Sequence, residues 1–232
     1  MDEEFAAQVS GVGALAEPVR RGLYRFVASA PDDVSREQAA DALGIALHSA
    51  KFHLDRLVDE GLLDVTFRRL SGRSGPGAGR PSKLYRRSDR QLSVSLPERR
   101  YDLVGEVLAE AIERATTGDV AVGEAVQDVA QAEGRRIAAT AEEDAGEDSG
   151  GTELDRMVGV LERHGYEPRL QDGTIRLANC PFDRLARTHT ELVCTLNHAM
   201  IDGVLDGLGC TRLEAVLDPQ PGLCCVTTRA RT

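Results

Sequence analysis

Apolar residues recur along this chain at helical and at alternating spacings, and the switches between the two mark its elements. Over 14–29, Leu15, Val19, Leu23, Phe26 and Val27 share one helical face, Pro18 is tolerable only in an opening turn, and Pro31-Asp32-Asp33 closes the segment. Residues 1–13 read as an acidic arm. Ser35-Arg36-Glu37-Gln38 fits a capping box, followed by a short helix with Ala39, Ala40 and Leu43 inside and Gly44 at its exit. A second helix is predicted over 47–60. Leu47, Ala50, Leu54, Leu57 and Val58 form its core stripe, leaving His48, Ser49, Lys51, Phe52, His53 and Arg56 for other faces, with Phe52 expected to pack on the preceding helix. Gly61 ends it. Residues 62–70 and 83–87 follow as antiparallel strands around a loop rich in Gly, Ser and Pro. Helix, tight turn, helix, hairpin is the order of a winged helix-turn-helix.

Beyond the hairpin, 92–96 is too short to assign, and helical patterns return over 98–117 and 120–140. Ala-rich amphipathic helices beside such a domain suit a dimer interface, so 97–141 is expected to be a helical linker and dimerisation segment. Residues 142–152, with Glu142, Glu143, Asp144, Glu147, Asp148 and Gly150-Gly151, have few groups to bury and read as a flexible acidic linker. The stretch 153–232 opens with a helix over 153–164. A hairpin across Asp172-Gly173 joins 166–171 to 174–178, helices follow over 181–187 and 190–208, and strands near 212–217 and 225–229 complete it. The expected architecture is α+β: a winged helix-turn-helix over 1–96, the helical segment, the linker, and a small α+β domain carrying all the cysteines.

Charge sharpens this picture. The 232 residues carry a net −10, yet between Gly61 and Arg90 eight Arg and Lys side chains face only Asp64 and Asp89, a local +6. Positive potential concentrated on a hairpin of an acidic chain points to a phosphate backbone, and so to double-stranded DNA as partner. No apolar stretch is long enough to span a bilayer and the N-terminus is acidic, so a cytoplasmic protein away from membranes is expected. In that compartment, cysteines favour metal, cluster or redox roles over permanent disulfides.

Phe52-His53-Leu54-Asp55-Arg56-Leu57, Glu60-Gly61-Leu62-Leu63 and Gly79-Arg80-Pro81-Ser82-Lys83-Leu84-Tyr85 resemble the recognition helix and wing of ArsR-like winged-helix transcriptional regulators. The resemblance covers about the first ninety residues. On it, the helix over 47–60 enters the major groove with His48, Ser49, Lys51, His53 and Arg56 as candidate contacts. Arg68, Arg73, Arg80 and Lys83 then form the basic wing, and a homodimer matches a palindromic operator.

Cys180, Cys194, Cys210, Cys224 and Cys225 all fall in the last 53 residues. Convergent thiolates suit zinc or an iron–sulfur cluster, although no Cys-x-x-Cys knuckle is present. Asn179-Cys180-Pro181-Phe182, Leu192-Val193-Cys194 and Pro221-Gly222-Leu223-Cys224 resemble the C-terminal domain of SufR-type repressors, iron–sulfur-sensing relatives in the same winged-helix group. That resemblance implies Cys180, Cys194 and Cys224 as ligands of a 4Fe–4S or 2Fe–2S cluster and Cys210 as the fourth, with Cys225 or His198 as alternatives. It also implies a repressor of iron–sulfur assembly or redox genes. Two rival readings remain. One keeps DNA binding with zinc or a thiol–disulfide switch as the sensor. The other makes the C-terminal part a small-ligand domain or an enzyme with Cys194 as nucleophile and His189 or His198 as base, but no nucleophile elbow, phosphate loop or carboxylate pair supports it, so no enzymatic activity is expected.

Overall fold

A computed structural model of the chain describes residues 2–69, 81–145 and 151–231, which divide into two units, Met1–Val94 and Ser95–Thr232. Among the described residues, no helix is long and apolar enough to cross a membrane.

The first unit begins with helix α1 (Asp2–Ala14), where the sequence suggested only an acidic arm. Phe5, Val9 and Val12 recur at helical spacing and are exposed. Helix α2 (Pro18–Ser29) starts later than expected because Pro18 takes its first position and Glu17 caps it, accepting from the amides of Val19 at 3.1 Å and Arg20 at 2.6 Å. Strand β1 (Val34–Ser35) leads into α3 (Arg36–Leu43). The capping box is present: the Gln38 amide donates to Ser35 Oγ at 3.2 Å, and the Ser35 amide donates to Gln38 Oε1 at 2.9 Å. Helix α4 (Leu47–Asp59) is followed by β2 (Leu63–Arg68) and β3 (Ser82–Arg87), antiparallel with Val65 opposite Tyr85. β1 adds to the far side of β3, giving sheet order β1-β3-β2. Leu23, Leu54 and Leu57 are fully buried in the core. Each stabilises the fold by about 1.5–3 kcal/mol. Leu47 is 46% exposed and outside the expected stripe, because it sits in the first turn of α4, beyond the end of that core. Residues 92–96 form no strand.

The second unit contains α5 (Tyr101–Thr117), α6 (Val122–Ala145), α7 (Glu153–Arg163), β4 (Pro168–Gln171), β5 (Thr174–Leu177), α8 (Asp183–Thr188), α9 (Thr190–Gly207), β6 (Leu213–Leu217) and β7 (Val226–Ala230). Its sheet is antiparallel in the order β4-β5-β7-β6. The β4–β5 hairpin turns at Asp172 and Gly173, with φ of 50° and 71°, the left-handed pair that a two-residue hairpin favours.

Residues 97–141, expected as a separate segment, share one core with 153–232. Helices α6 and α9 lie backbone to backbone. A Cβ at Gly134 would stand 2.0 Å from the Met200 carbonyl oxygen, and one at Gly203 would stand 2.1 Å from that of Gln131. Small residues at four-residue steps, Ala130, Gly134 and Ala138 against Ala199, Gly203 and Gly207, let the two helices approach this closely. The expected acidic linker is also shorter than predicted. α6 runs on to Ala145, and Glu142 reaches Arg156 at 3.6 Å; Glu147 and Asp148 lie outside the described residues.

Candidate functional site

Helix α4 presents one face to solvent. His48, Lys51, Phe52 and Arg56 recur three or four residues apart and all are exposed. Phe52 is 65% exposed rather than packed on the preceding helix. It stands two residues from the buried Leu54, about 200° round the helix. Ser49 is half-buried. His53 turns inward: its ring Nδ1 lies 3.7 Å from Glu17 Oε2, with only 15% of its side chain exposed, so it faces the α2 cap and not the open surface. The amide of Arg20, then that of Val19 and His53 itself, holds the Glu17 carboxyl below its usual range.

The wing is tied to α4 through Asp55. Lys83 of β3 forms an ion pair with the Asp55 carboxylate, and the phenol of Tyr85 donates to the same oxygen at 3.2 Å. The Lys83 ammonium also lies 5.1 Å from the Tyr85 ring centroid. Burial raises the Asp55 carboxyl, but the hydrogen bond and charge of Lys83 outweigh it and the net shift is downward. Tyr85, fully buried, is pushed up by burial and then by Asp55. Lys83, a candidate DNA contact, thus already has a protein partner. Its amine fixes the hairpin against α4 and cancels the one acidic charge in the middle of the exposed face. Arg56 pairs with Glu60 one turn on, and Arg68 reaches Asp33 at 3.7 Å. Both guanidiniums are more than half exposed while their carboxylate partners are not, so water screens the pairs and each guanidinium can exchange its partner for a phosphate. Arg69, Arg87 and Arg90 add exposed charge beside them. Arg73 and Arg80 lie outside the described residues.

A family model described as a helix-turn-helix domain matches residues 15–66, which run from the approach to α2 into β2. The N-terminal unit is a helix-turn-helix domain. Its hairpin makes it winged, and its match supports a DNA-binding transcriptional regulator. Comparison with curated proteins and with solved structures gives no match.

The second candidate site belongs to the second unit. All five cysteines carry free thiols. Cys194 is in the second turn of α9, Cys180 follows β5, and the Cys224-Cys225 pair precedes β7. The folding of β5 against β7 brings these segments together, and the Cys224 amide donates to the Leu177 carbonyl at 2.8 Å. The thiols of Cys180 and Cys225 both reach Cys224 Sγ, and that of Cys225 also reaches Cys194. Four thiols therefore lie close to one another as one group.

Cys224 is at its centre. Hydrogen bonds from Cys180, Cys225, the Val226 amide and Asn197 hold its thiol well below the usual range against the opposing effect of burial. Cys180 and Cys225 shift upward, each first through its bond to Cys224 and then through burial. Asn197 is fully buried one turn after Cys194, and its Nδ2 donates to Cys224 Sγ at 3.2 Å. The phenol of Tyr166 fixes that amide by donating to Asn197 Oδ1, and Phe182 closes the pocket edge-on to Tyr166 at 6.4 Å. Arg99 reaches Asn179 Oδ1 and, at 3.4 Å, the Cys180 carbonyl oxygen.

Cys210, the expected fourth ligand, does not join them. It lies beyond the end of α9 near Arg156, Glu153 and Glu142, and burial raises its thiol. The helix from Cys194 to Gly207 advances about 20 Å, which separates the two thiols whatever their rotamers. Cys225, the alternative to Cys210, lies with the other three thiols instead. His198, the reserve ligand, has its Nε2 3.0 Å from the Ala215 carbonyl oxygen. Among the described residues, no group of three or more His, Cys, Asp or Glu side chains stands in the geometry of a metal-ion site. The thiols are gathered, but closed on one another.

Proposed function

We propose that the chain is a transcriptional regulator of the ArsR-like winged-helix type, that it binds operator DNA through α4 and the basic wing, and that an iron–sulfur cluster at Cys180, Cys194, Cys224 and Cys225 controls that binding. The convergence of four thiols from three separate segments carries the reading. Their chemistry fits such a group. The donor set is all sulfur, the surroundings are Tyr166 and Phe182, and amide donors from Asn197 and Val226 aim at one sulfur. When bound, the cluster supplies a redox-sensitive and oxygen-sensitive crosslink. The chain's own part is mechanical. Cys180, Cys194, Cys224 and Cys225 would hold the cluster, tying the segment after β5 and the segment before β7 to α9. Asn197 and Tyr166 orient the Cys224 sulfur throughout.

On DNA, Lys51 and Arg56 meet phosphate or guanine, while the exposed Phe52 ring offers an apolar surface to a thymine methyl group. A homodimer, its exposed Phe5, Val9 and Val12 stripe included in the interface, gives two such helices for a palindromic site. By resemblance to SufR-type proteins, the regulated genes serve iron–sulfur assembly or redox balance, and the regulator is a repressor.

Anaerobic purification followed by iron and sulfide quantification, an absorption spectrum and operator-binding assays tests this reading. Iron and sulfide are expected to bind in wild type and Cys210→Ser and to be lost in Cys225→Ser. Protein free of iron under reducing, iron-replete conditions would sink the cofactor reading. A thiol–disulfide switch, favoured by the proximity of Cys180 to Cys224, would then be scored by whether peroxide links those two residues and changes DNA affinity.

A further inference from the structure

We propose that the cleft between α5, α6 and the end of α7 binds a small anion through a carboxylate or phosphate group held by Arg100, Arg163 and His164. The cleft encloses about 370 Å³, at the lower end of the range for small-molecule sites. Three guanidiniums, Arg100, Arg136 and Arg163, and three carboxylates, Asp102, Glu106 and Glu133, line it, but they are unequally matched, since Glu106 and Glu133 both act on Arg136. Arg136 is already committed, its Nε at 2.8 Å and Nη2 at 2.6 Å from the two Glu133 carboxylate oxygens. Arg100 has a single weak partner, the exposed Asp102 at 3.8 Å, and Arg163 forms no ion pair among the described residues.

His164 lines the same cleft as these two guanidiniums. Its Nδ1 donates to the Val160 carbonyl at 2.8 Å, which fixes the ring and leaves Nε2 as its second polar atom. Burial lowers its proton affinity first, and the charges of Arg100 and Arg163 lower it further. Two like-charged side chains held near a third group are stabilised when an anion enters between them. Guanidinium forks suit carboxylate and phosphate oxygens, while buried Leu103 and Ile137 give the carbon skeleton of an organic acid an apolar surface. Its Arg100 is linked to the thiol-bearing segment through the backbone, where the Arg100 amide donates to the Pro181 carbonyl at 3.1 Å, one residue from Cys180. The site does not depend on the presence of a cluster.

Isothermal titration of the full chain with inorganic phosphate and, separately, with succinate is the test. Saturable binding of at least one anion is expected, weakened about tenfold or more in Arg163→Gln and in His164→Gln and unchanged in Arg187→Gln, an exposed arginine on α8 outside the cleft. Tighter phosphate binding makes this a phosphate site, and tighter succinate binding an organic-acid site. Arg163 is exposed, so its loss leaves the fold intact, which far-UV circular dichroism verifies. Absence of saturable heat with either anion up to about 10 mM, or affinity unchanged in Arg163→Gln, overturns the proposal.

Discussion

On α4, Lys51, Phe52 and Arg56 stand in solvent on consecutive turns of one helix, whereas the thiols of Cys180, Cys194, Cys224 and Cys225 come from three segments and meet in a largely buried pocket. The helix-turn-helix domain holds its chemistry by local geometry, so a side chain there can be changed with small effect on the rest. In the second unit, chemistry and packing are the same contacts. Asn197 is both core and hydrogen-bond donor, and α9 carries Cys194 at one end while its glycines seat it on α6 at the other. Substitutions should therefore separate fold from binding in the first unit and fail to do so in the second.

The largest effect is expected at the α6–α9 seam. Gly203→Val would drive a side chain into the Gln131 backbone, which no rotamer relieves, at a cost of about 3 kcal/mol or more. Gly105 on α5 has open space where a Cβ would go, so Gly105→Ala should be neutral or stabilising by up to about 1 kcal/mol. Chemical denaturation of both variants checks the contrast. Equal stabilities would mean that the two helices do not approach as described.

Next comes the exposed face of α4. Phe52→Ala should weaken operator binding by about 1–3 kcal/mol at any salt concentration while leaving its salt dependence unchanged. Lys51→Ala should lower the magnitude of the salt slope by about one. Neither should shift the melting temperature measurably, because both side chains are exposed. If Phe52→Ala unfolds the domain, the ring is core and the sequence expectation was the better one.

What the sequence made legible follows the same division. The capping box at Ser35, the α3–α4 pair and the wing strands are local patterns, and a helical wheel places Lys51 and Arg56 correctly. Apolar character alone puts Phe52 inside, whereas its angular distance from Leu54 puts it in solvent. His53 was assigned outward because nothing local shows that Glu17 waits opposite it. In the second unit, elements were again readable, but which thiols meet depends on the pairing of β5 with β7 and on the length of α9. The 16 residues from Cys194 to Cys210 contain that length, and counting along the helix would have excluded Cys210. Asn197 stands at the i+3 position from Cys194 and was open to the same count. Gly203 and Gly207, four apart on α9 like Ala130, Gly134 and Ala138 on α6, announced an intramolecular seam where a dimer segment was expected.

A smaller effect should separate Asp55 from its neighbours. Asp55→Asn removes the charge that holds Lys83, so it should lower stability modestly at neutral pH, and the released ammonium should strengthen nonspecific DNA binding. The folded-state proton affinity of Asp55 is below the usual value near 3.8, so its contribution is present above that value and is lost as pH falls through the lower folded one. Wild type and Asp55→Asn should therefore differ in melting temperature at pH 7 and converge on acidification. A constant difference down to pH values that denature the domain would show that the ion pair does not set the stability gap.

The smallest effect concerns His164. Its folded-state pKa lies below the usual 6.5, through burial first and then through Arg100 and Arg163, with the hydrogen bond to the Val160 carbonyl and the charge of Glu133 opposing them. A depressed value means that the unfolded chain takes up the proton first as pH falls. Stability is thus full above about 6.5 and declines as the pH drops toward the folded value. In buffer free of phosphate and carboxylates, the second unit of wild type should lose melting temperature between neutral and mildly acidic pH, and His164→Gln should lose less. An anion seated against Arg100 and Arg163 offsets the charges that disfavour the imidazolium, so phosphate or succinate should flatten the wild-type slope toward that of the variant. A slope that neither the substitution nor the anion alters would place the titrating group elsewhere in the unit.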